Sequence, residues 1–386
     1  MELHTLINYE VLRVIWWLLL GVLLIGFAIT DGFDLGTAAL LPFIGKNDVE
    51  RRIVINTVGP VWEGNQVWLI TGGGAIFAAW PILYAVSFSG FYLAMFATLF
   101  ALILRPVGFK YRSKLHDATW RKTWDWCLFI GGAVPALIFG VALGNVLQGV
   151  PFHFNPEQRI YYDGTTLFEL LNPFGILAGL VSVAMLVTHG ATWVAVKTQG
   201  AVESRARTIG SITGIATAVL YILAGVWLYM GIKGYAYSSP AVLDGPSNPL
   251  LKTVEGGVAK QWFANYGALP ILWIVPILGI VGALLAAVLL KAGKALLAFI
   301  CSSLSMTGII SSVGVSMFPM ILPSSVDPSH SLTVWDTSSS HMILFIMLVV
   351  ALIFVPIVLA YTSYVFYVLR GKVTRDSVDD SKTFSY

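Results

Sequence analysis

Long stretches free of Asp, Glu, Lys and Arg alternate along this chain with short segments that hold nearly all of its charge. The uncharged stretches are 14–30, 64–104, 126–156, 170–196, 208–232, 261–290, 295–326 and 337–369. A helix that crosses a bilayer needs about 20 predominantly apolar residues. The stretch 64–104 is long enough for two, and Ala79, Trp80 and Pro81 mark the break between them. The pattern predicts nine transmembrane helices, over 14–30, 58–79, 82–104, 126–147, 173–196, 208–232, 269–290, 295–318 and 341–369. Together they make a single integral membrane domain over 1–386.

Composition agrees with that pattern. Of the 386 residues, 57% are hydrophobic and 11% charged, where a soluble protein carries about 25% charge. The class is an all-α polytopic protein of a lipid bilayer. A net charge of +3 is too small to point to nucleic acid. Cys127 and Cys301 sit in apolar stretches, with neither a CxxC pair nor a metal spacing, and read as free thiols. The first apolar run lacks a basic leader and an A-x-A site, so it reads as an uncleaved span.

The basic residues orient the chain. With nine helices and the C-terminus inside, all but five of the 23 Lys and Arg fall in inside segments. The five are Arg13, Arg159, Lys233, Lys252 and Lys260. That asymmetry follows the positive-inside rule and puts the N-terminus outside and the C-terminus in the cytoplasm. The longest outside loop, 231–267, is rich in Gly, Pro, Ser and Asn. A second outside loop, 319–341, is rich in Ser and Thr, has no Lys or Arg, and suggests no chemistry.

Polar residues gather where this topology places the inner face. Helix 1 runs inward and is expected to end at "TDGFDLG", with Asp31 and Asp34. Helix 2 opens with Trp62, Glu63, Asn65, Gln66 and Trp68, and helix 3 returns to Arg105. Glu63 and Gln66 are i, i+3 neighbours, as are Trp62 and Asn65, so their polar atoms are expected to share a sector. A carboxylate facing lipid is costly, so that sector should face protein or water. Burial favours the protonated carboxyl of Glu63 and a nearby Arg105 favours the ionised one, a balance suited to passing protons. An interhelical clamp explains the same residues. The amides Asn65 and Gln66 read as hydrogen-bonding glue or as site residues. Trp62 and Trp68 either pack or wall off a cofactor.

Other groups are less informative. Four of the six histidines, His4, His116, His153 and His330, fall in loops or near the N-terminus. His189 in helix 5 and His341 at the outer start of helix 9 differ in depth by roughly 20 Å at ~1.5 Å per residue, so they cannot hold one iron together. HExxH, a Walker loop and a GxGxxG turn are absent. Gly72–Gly74 lie in mid-membrane and suggest close helix contact. Trp16, Trp17, Trp80, Trp120, Trp124, Trp126 and Trp262 fit interfacial belts.

Several motifs carry a resemblance: "RVIWWLLLGVLLIGFAITDGFDLG", "WEGNQVWLITGGGAIFAAWP", "FSGFY", "RPVGFKYRSK", "GNVLQGVPF", "LLNPFGILAG", "FPMILPSS" and "SLTVWDTSSS". From about Asn8 to Tyr386 the chain resembles subunit II of the cytochrome bd-type ubiquinol oxidases. The resemblance implies two four-helix bundles plus one peripheral helix in the bacterial inner membrane. It also implies a partner, subunit I, which holds the b-type haems, haem d and their iron ligands, and small single-helix accessory subunits. The complex would oxidise ubiquinol near the outer face and reduce O2 to water. It would take protons from the cytoplasm and so build proton-motive force without pumping. In that family subunit II lines a cytoplasmic proton path, here Glu63, Asp34, Asp31 and Arg105. It also lines an oxygen route or subunit interface, here Trp62, Trp68, Asn65 and Gln66. Some members hold a structural ubiquinone. The acidic position of the WxGNQxW motif is often Asp in the family and is Glu63 here, which keeps the charge and lengthens its reach by one methylene. A passive scaffold subunit is the alternative. A stand-alone transporter would show inverted repeats, and the chain has no visible repeat.

Overall fold

The structure is a computed structural model, and it describes residues 3–164 and 167–379. It opens with α1 (Tyr9–Ile44), α2 (Asp48–Val58), α3 (Trp62–Ala79), α4 (Pro81–Gly90), α5 (Tyr92–Leu102), α6 (Leu104–Tyr111) and α7 (Ala118–Gln148). The short α8 (Leu167–Leu170) precedes α9 (Pro173–Lys197) and α10 (Ala201–Gly231). Then come α11 (Ala264–Ala268), α12 (Ile274–Lys291), α13 (Ala295–Met317), α14 (His341–Val368) and α15 (Arg375–Asp379). Three two-stranded hairpins lie in the loops: Phe152–Phe154 with Ile160–Tyr162, Gly234–Tyr237 with Val254–Val258, and Met320–Leu322 with Leu332–Thr333.

Among the described residues, eight helical stretches are long and apolar enough to cross a membrane, and Pro81–Gly90 is a shorter apolar helix. The remaining expected span corresponds to α3, whose polar first turns lower its hydropathy. At 1.5 Å per residue its 18 residues measure about 27 Å, close to the ~30 Å hydrocarbon core. Several helices outrun the uncharged stretches. The first does not end near Thr30 but continues to Ile44, and α7 starts at Ala118 rather than at 126. A charge ends a span only if it must reach water, and here Asp31, Asp34 and Asp125 find partners inside the protein.

The first group of helices is α1, α3, α4 to α6 and α7; the second is α9, α10, α12 and α13. They meet where α1 and α7 pack on α9, and glycines make that contact possible. A Cβ on Gly36 would lie 1.9 Å from the Leu186 carbonyl oxygen, and one on Gly140 would lie 2.4 Å from that of Ala178. By contrast, a Cβ on Gly72 or Gly74 would meet nothing within 4 Å. Among the described residues the close contact expected at the triple glycine is not made: the nearest approach is at Gly73, whose Cβ would lie 3.9 Å from the Phe88 ring. The α14 helix is peripheral: Leu344 and Leu348 are its only buried residues.

At one end of the bundle, basic side chains cap helices that stop there. Arg205 donates to the Ile44 carbonyl at the end of α1 (2.6 Å), and Arg207 to those of Leu290 and Lys291 at the end of α12 (2.7 and 2.9 Å). Lys197 donates to the Leu369 and Gly371 carbonyls after α14, and Lys372 to that of Thr198 after α9 (2.9 Å). Each cation satisfies carbonyls that have no intrahelical partner and meets the negative end of a helix dipole.

The opposite end carries the loops. Arg13 is buried without a carboxylate partner among the described residues. It donates to Ser338 (2.8 Å) and to the carbonyls of Leu243 (2.6 Å) and Gly245 (2.8 Å), and it lies 3.7 Å over the Tyr9 ring. Lys252 pairs with Asp336 at 2.7 Å. Burial pushes the Asp336 carboxyl up and the Lys252 ammonium down, while the contact between them opposes both shifts. The hydroxyls of the 319–341 loop have structural work here. Ser331 accepts from the Ser324 amide, Ser340 caps α14, and Thr337 donates to the Thr333 carbonyl. Trp16, Trp80 and Trp262 are 5%, 1% and 1% exposed, so they belong to the core rather than to the expected interfacial belt. Trp126, at 46%, is exposed as a belt residue would be.

Candidate functional site

The predicted polar residues divide into a buried cluster and an exposed pair. Three faces of α1 meet different neighbours over one stretch. Gly32 and Gly36 face α9, Leu35 faces α7, and Asp31 and Asp34 face α6 and α3. Asp31 and Arg105 are both fully buried and form two hydrogen bonds, Nη1 to Oδ2 at 2.9 Å and Nη2 to Oδ1 at 2.6 Å. This two-pronged geometry is among the strongest a guanidinium makes. Asp34 is also fully buried, and its Oδ2 accepts from Asn65 Nδ2 at 2.8 Å. Among the described residues its Oδ1 and Arg105 Nε are buried with no hydrogen-bond partner. Two carboxylates thus face one guanidinium, and with both ionised the cluster lacks one positive charge.

Glu63 is not part of this cluster. Its side chain is 60% exposed and pairs with Lys110 Nζ at 2.6 Å. Successive helix residues turn by about 100°, so Glu63 points roughly 200° away from Asn65. Trp62 and Asn65 share the inward side and are buried, Glu63 faces out, and Gln66 is half-buried. The shared sector expected for these polar atoms is therefore split by the body of α3. Glu63 instead begins an exposed stripe that continues through Val67, Ile70 and Phe77. Trp68 packs on α1, where a Cβ on Gly26 would lie 2.7 Å from its ring. Trp62 lies against Phe109, with ring centroids 5.6 Å apart, and its Nε1 is buried without a partner among the described residues.

His189 is fully buried; its Nε2 meets the Ile29 carbonyl at 2.9 Å and its Nδ1 meets Ser302 Oγ at 2.7 Å. His341 Nε2 meets the Ile7 carbonyl at 2.7 Å. Both rings are thus held by protein partners. Cys127 and Cys301 are free thiols, both partly buried.

Two groupings escaped the sequence reading. At the basic end, Asp125 is shared by Arg112 (2.5 Å) and Arg51 (2.7 Å), while Asp48 holds Arg112 (3.0 Å) and Arg121 (2.6 Å). At the opposite end is a cavity of about 250 Å³ lined by Tyr235, Tyr237, Gln261, Trp262, Phe318 and Met320. Trp262 Nε1 is buried beside it, with no hydrogen-bond partner among the described residues. Spacing along the chain announces neither, since each joins segments far apart in sequence.

The fold and this cluster define a class: a multi-pass helical membrane protein with a buried carboxylate–guanidinium site between its first helices. Comparison with known proteins narrows it. The family model for cytochrome bd terminal oxidase subunit II matches residues 12–369. The chain is 54% identical over 383 residues to the probable cytochrome oxidase subunit 2 of Haemophilus influenzae, covering 99% of this chain and 100% of that one. It is 50% identical over 374 residues to the cytochrome bd-I ubiquinol oxidase subunit 2 of Escherichia coli, covering 97% and 98%. The fold matches a chain of the bd oxidase from Geobacillus thermodenitrificans with a TM-score of 0.69 at 16% identity, over 93% of this chain and 97% of that one. The chain belongs to the cytochrome bd terminal oxidase subunit II family. It is a subunit of a terminal quinol oxidase complex of the bacterial inner membrane.

Proposed function

We propose that this chain works beside a haem-bearing subunit I in a complex that oxidises ubiquinol and reduces O2 to water. Its buried acidic cluster holds protons on their way from the cytoplasm to the oxygen-reducing site. The naming of the E. coli relative as a ubiquinol oxidase subunit supports the reaction. The observation that carries the proton reading is Asp34 Oδ1, buried without a partner in a cluster one positive charge short. A buried uncompensated charge is costly, and a bound proton supplies the missing charge. Asp31 is locked to Arg105 by two bonds, so Asp34 is the exchangeable member. Glu63, at the basic end of the exposed α3 stripe, collects protons at the cytoplasmic margin of the face that meets subunit I. Trp68 packs on α1 among apolar side chains, a setting in which nonpolar O2 partitions readily. In this reading the basic end faces the cytoplasm and the N-terminus the periplasm, in keeping with the charge asymmetry.

A structural ubiquinone fits the cavity at the opposite end. Gln261 lines that cavity, and its side-chain amide can donate to a ring carbonyl.

The test is Asp34→Asn in the assembled complex. It keeps the shape but cannot ionise, and quinol-driven oxygen consumption should fall roughly tenfold or more, with haem content and subunit ratio unchanged. The second reading, a passive clamp, is favoured by the fully buried Asp31–Arg105 pair. It gains the case if Asp34→Asn assembles and turns over at the wild-type rate.

A further inference from the structure

His189 belongs to α9 and lies outside the acidic cluster, yet it touches the helix that carries it. A carbonyl oxygen only accepts, so the bond to Ile29 requires hydrogen on His189 Nε2. A neutral ring then leaves Nδ1 to accept from the Ser302 hydroxyl on α13, whose single proton is shared with the Phe299 carbonyl at 2.9 Å. The ring also stacks on Phe299 of α13, with centroids 4.7 Å apart and planes at 19°. The imidazole is thus fixed from the α13 side and presents one N–H to α1. The acceptor, Ile29, stands two residues before Asp31 on that helix.

Over the same stretch α1 and α9 touch backbone to backbone. A Cβ on Gly36 would lie 1.9 Å from the Leu186 carbonyl oxygen, and a Cβ on Gly190 would lie 2.4 Å from the Gly36 carbonyl carbon. Such a contact fixes how close the helices come. Glycine surfaces are smooth, however, and offer little resistance to sliding or rotation. The His189–Ile29 bond supplies a direction. Two carboxylates on α1 depend on that direction, because Asp31 must meet Arg105 and Asp34 must meet Asn65.

We infer that His189 is a positioning residue for the proton-holding segment. Braced by Ser302, its bond to Ile29 sets the height and rotation of α1, so that Asp31 and Asp34 reach their partners. The inference rests on the proton reading above. A small displacement of a working group can cost up to about a hundredfold in rate.

The test compares three variants in the full complex with subunit I. In His189→Gln, the amide nitrogen is as many bonds from Cα as Nε2 and can still donate to Ile29. In His189→Asn it reaches only the Nδ1 position, and His189→Leu fills volume without a donor. Quinol-driven oxygen consumption per haem is measured across a pH range. His189→Leu and His189→Asn are expected to lose about tenfold in rate and to shift the pH profile, with haem content unchanged. His189→Gln is expected to recover most of the rate and the wild-type profile. A wild-type rate and profile in His189→Leu overturns the assignment, as does a lowered rate with an unshifted profile. Equal impairment of the Gln and Leu variants also overturns it, since the ring's packing would then be what counts. If His189→Leu fails to assemble, the Gln and Asn variants decide, and equal rates reject the idea. Asp34→Asn in the same assay separates the two layers. At the wild-type rate it removes the proton reading and this inference with it. Slow Asp34→Asn beside normal His189→Leu rejects only the role of His189.

Discussion

Asn65 Nδ2 donates to Asp34 Oδ2 at 2.8 Å, and both side chains are buried. The bond ties α3 to α1 beside the acidic cluster and leaves the other Asp34 oxygen open. Such a bond contributes about 0.5–1.5 kcal/mol with Asp34 protonated and about 1.5–3 kcal/mol with it ionised. Asn65→Leu is therefore expected to lower the melting temperature of the complex and slow oxygen uptake, with the haem spectrum intact. Unchanged melting and rate would show that this bond holds nothing of consequence.

Glu63 faces outward beside Lys110, so its two candidate roles can be separated. As a proton collector it must titrate; as half of a surface ion pair it need only be opposite in charge to residue 110. Glu63→Gln is expected to assemble and slow oxygen consumption, and Glu63→Asp to keep most of the rate. The swap of Glu63→Lys with Lys110→Glu restores the pair on reversed sides and is expected to stay slow. Full activity of the swapped complex would leave only the ion-pair role.

Lys197 caps the C-terminal end of α14, a helix with little other packing. Lys197→Met removes the donor from exposed carbonyls and the charge from the dipole. The expected loss is about 1 kcal/mol. Limited proteolysis should cut the segment after Leu369 sooner in the variant; identical cleavage would argue that the tail is held by other contacts.

Glu50 makes the basic end sensitive to acid. The Arg205 guanidinium, hydrogen-bonded at 2.7 Å, holds the Glu50 carboxyl below the usual carboxylate range; partial burial opposes this, and the Lys46 and Asn47 amides assist. The folded form thus binds this proton less readily than the unfolded chain. Its stabilisation is complete above the ordinary Glu range and is lost as pH falls through the lowered folded value. Both side chains are partly exposed, so the contribution is about 0.2–1 kcal/mol. Melting curves taken down to about pH 3 should fall less steeply for Glu50→Gln than for wild type. Parallel curves would mean that Glu50 is not the group responsible.

Orientation can be read with reporters. A fusion after Lys114 is expected to report from the cytoplasm and one near Ser247 from the periplasm. The reverse at either position contradicts the assignment drawn from the basic residues.

Much of the helical architecture was legible because the bilayer imposes a simple code of long apolar stretches. The polar pattern also pointed to Asp31, Asp34, Arg105 and Asn65, residues that the structure brings together. Burial was less legible. The helix expected at 14–30 runs on to Ile44 because its charges find partners inside the protein, and the sector expected to hold the polar atoms of Glu63 and Asn65 together is split between two sides of α3. Trp16, Trp80 and Trp262 looked interfacial by position, yet long-range packing encloses them.

By itself, then, the sequence determined a helical membrane protein, its approximate spans and, through long unusual motifs, its family. These depend on hydrophobicity and order, which are properties of the chain. Only the tertiary structure decided which carboxylate is buried and which exposed, that His189 braces α1, and that basic residues of one helix cap the ends of others. Those outcomes depend on helix rotation and on partners supplied by distant segments. Glu63 and Asn65 are two residues apart, and the turn of one helix puts them on opposite sides of it.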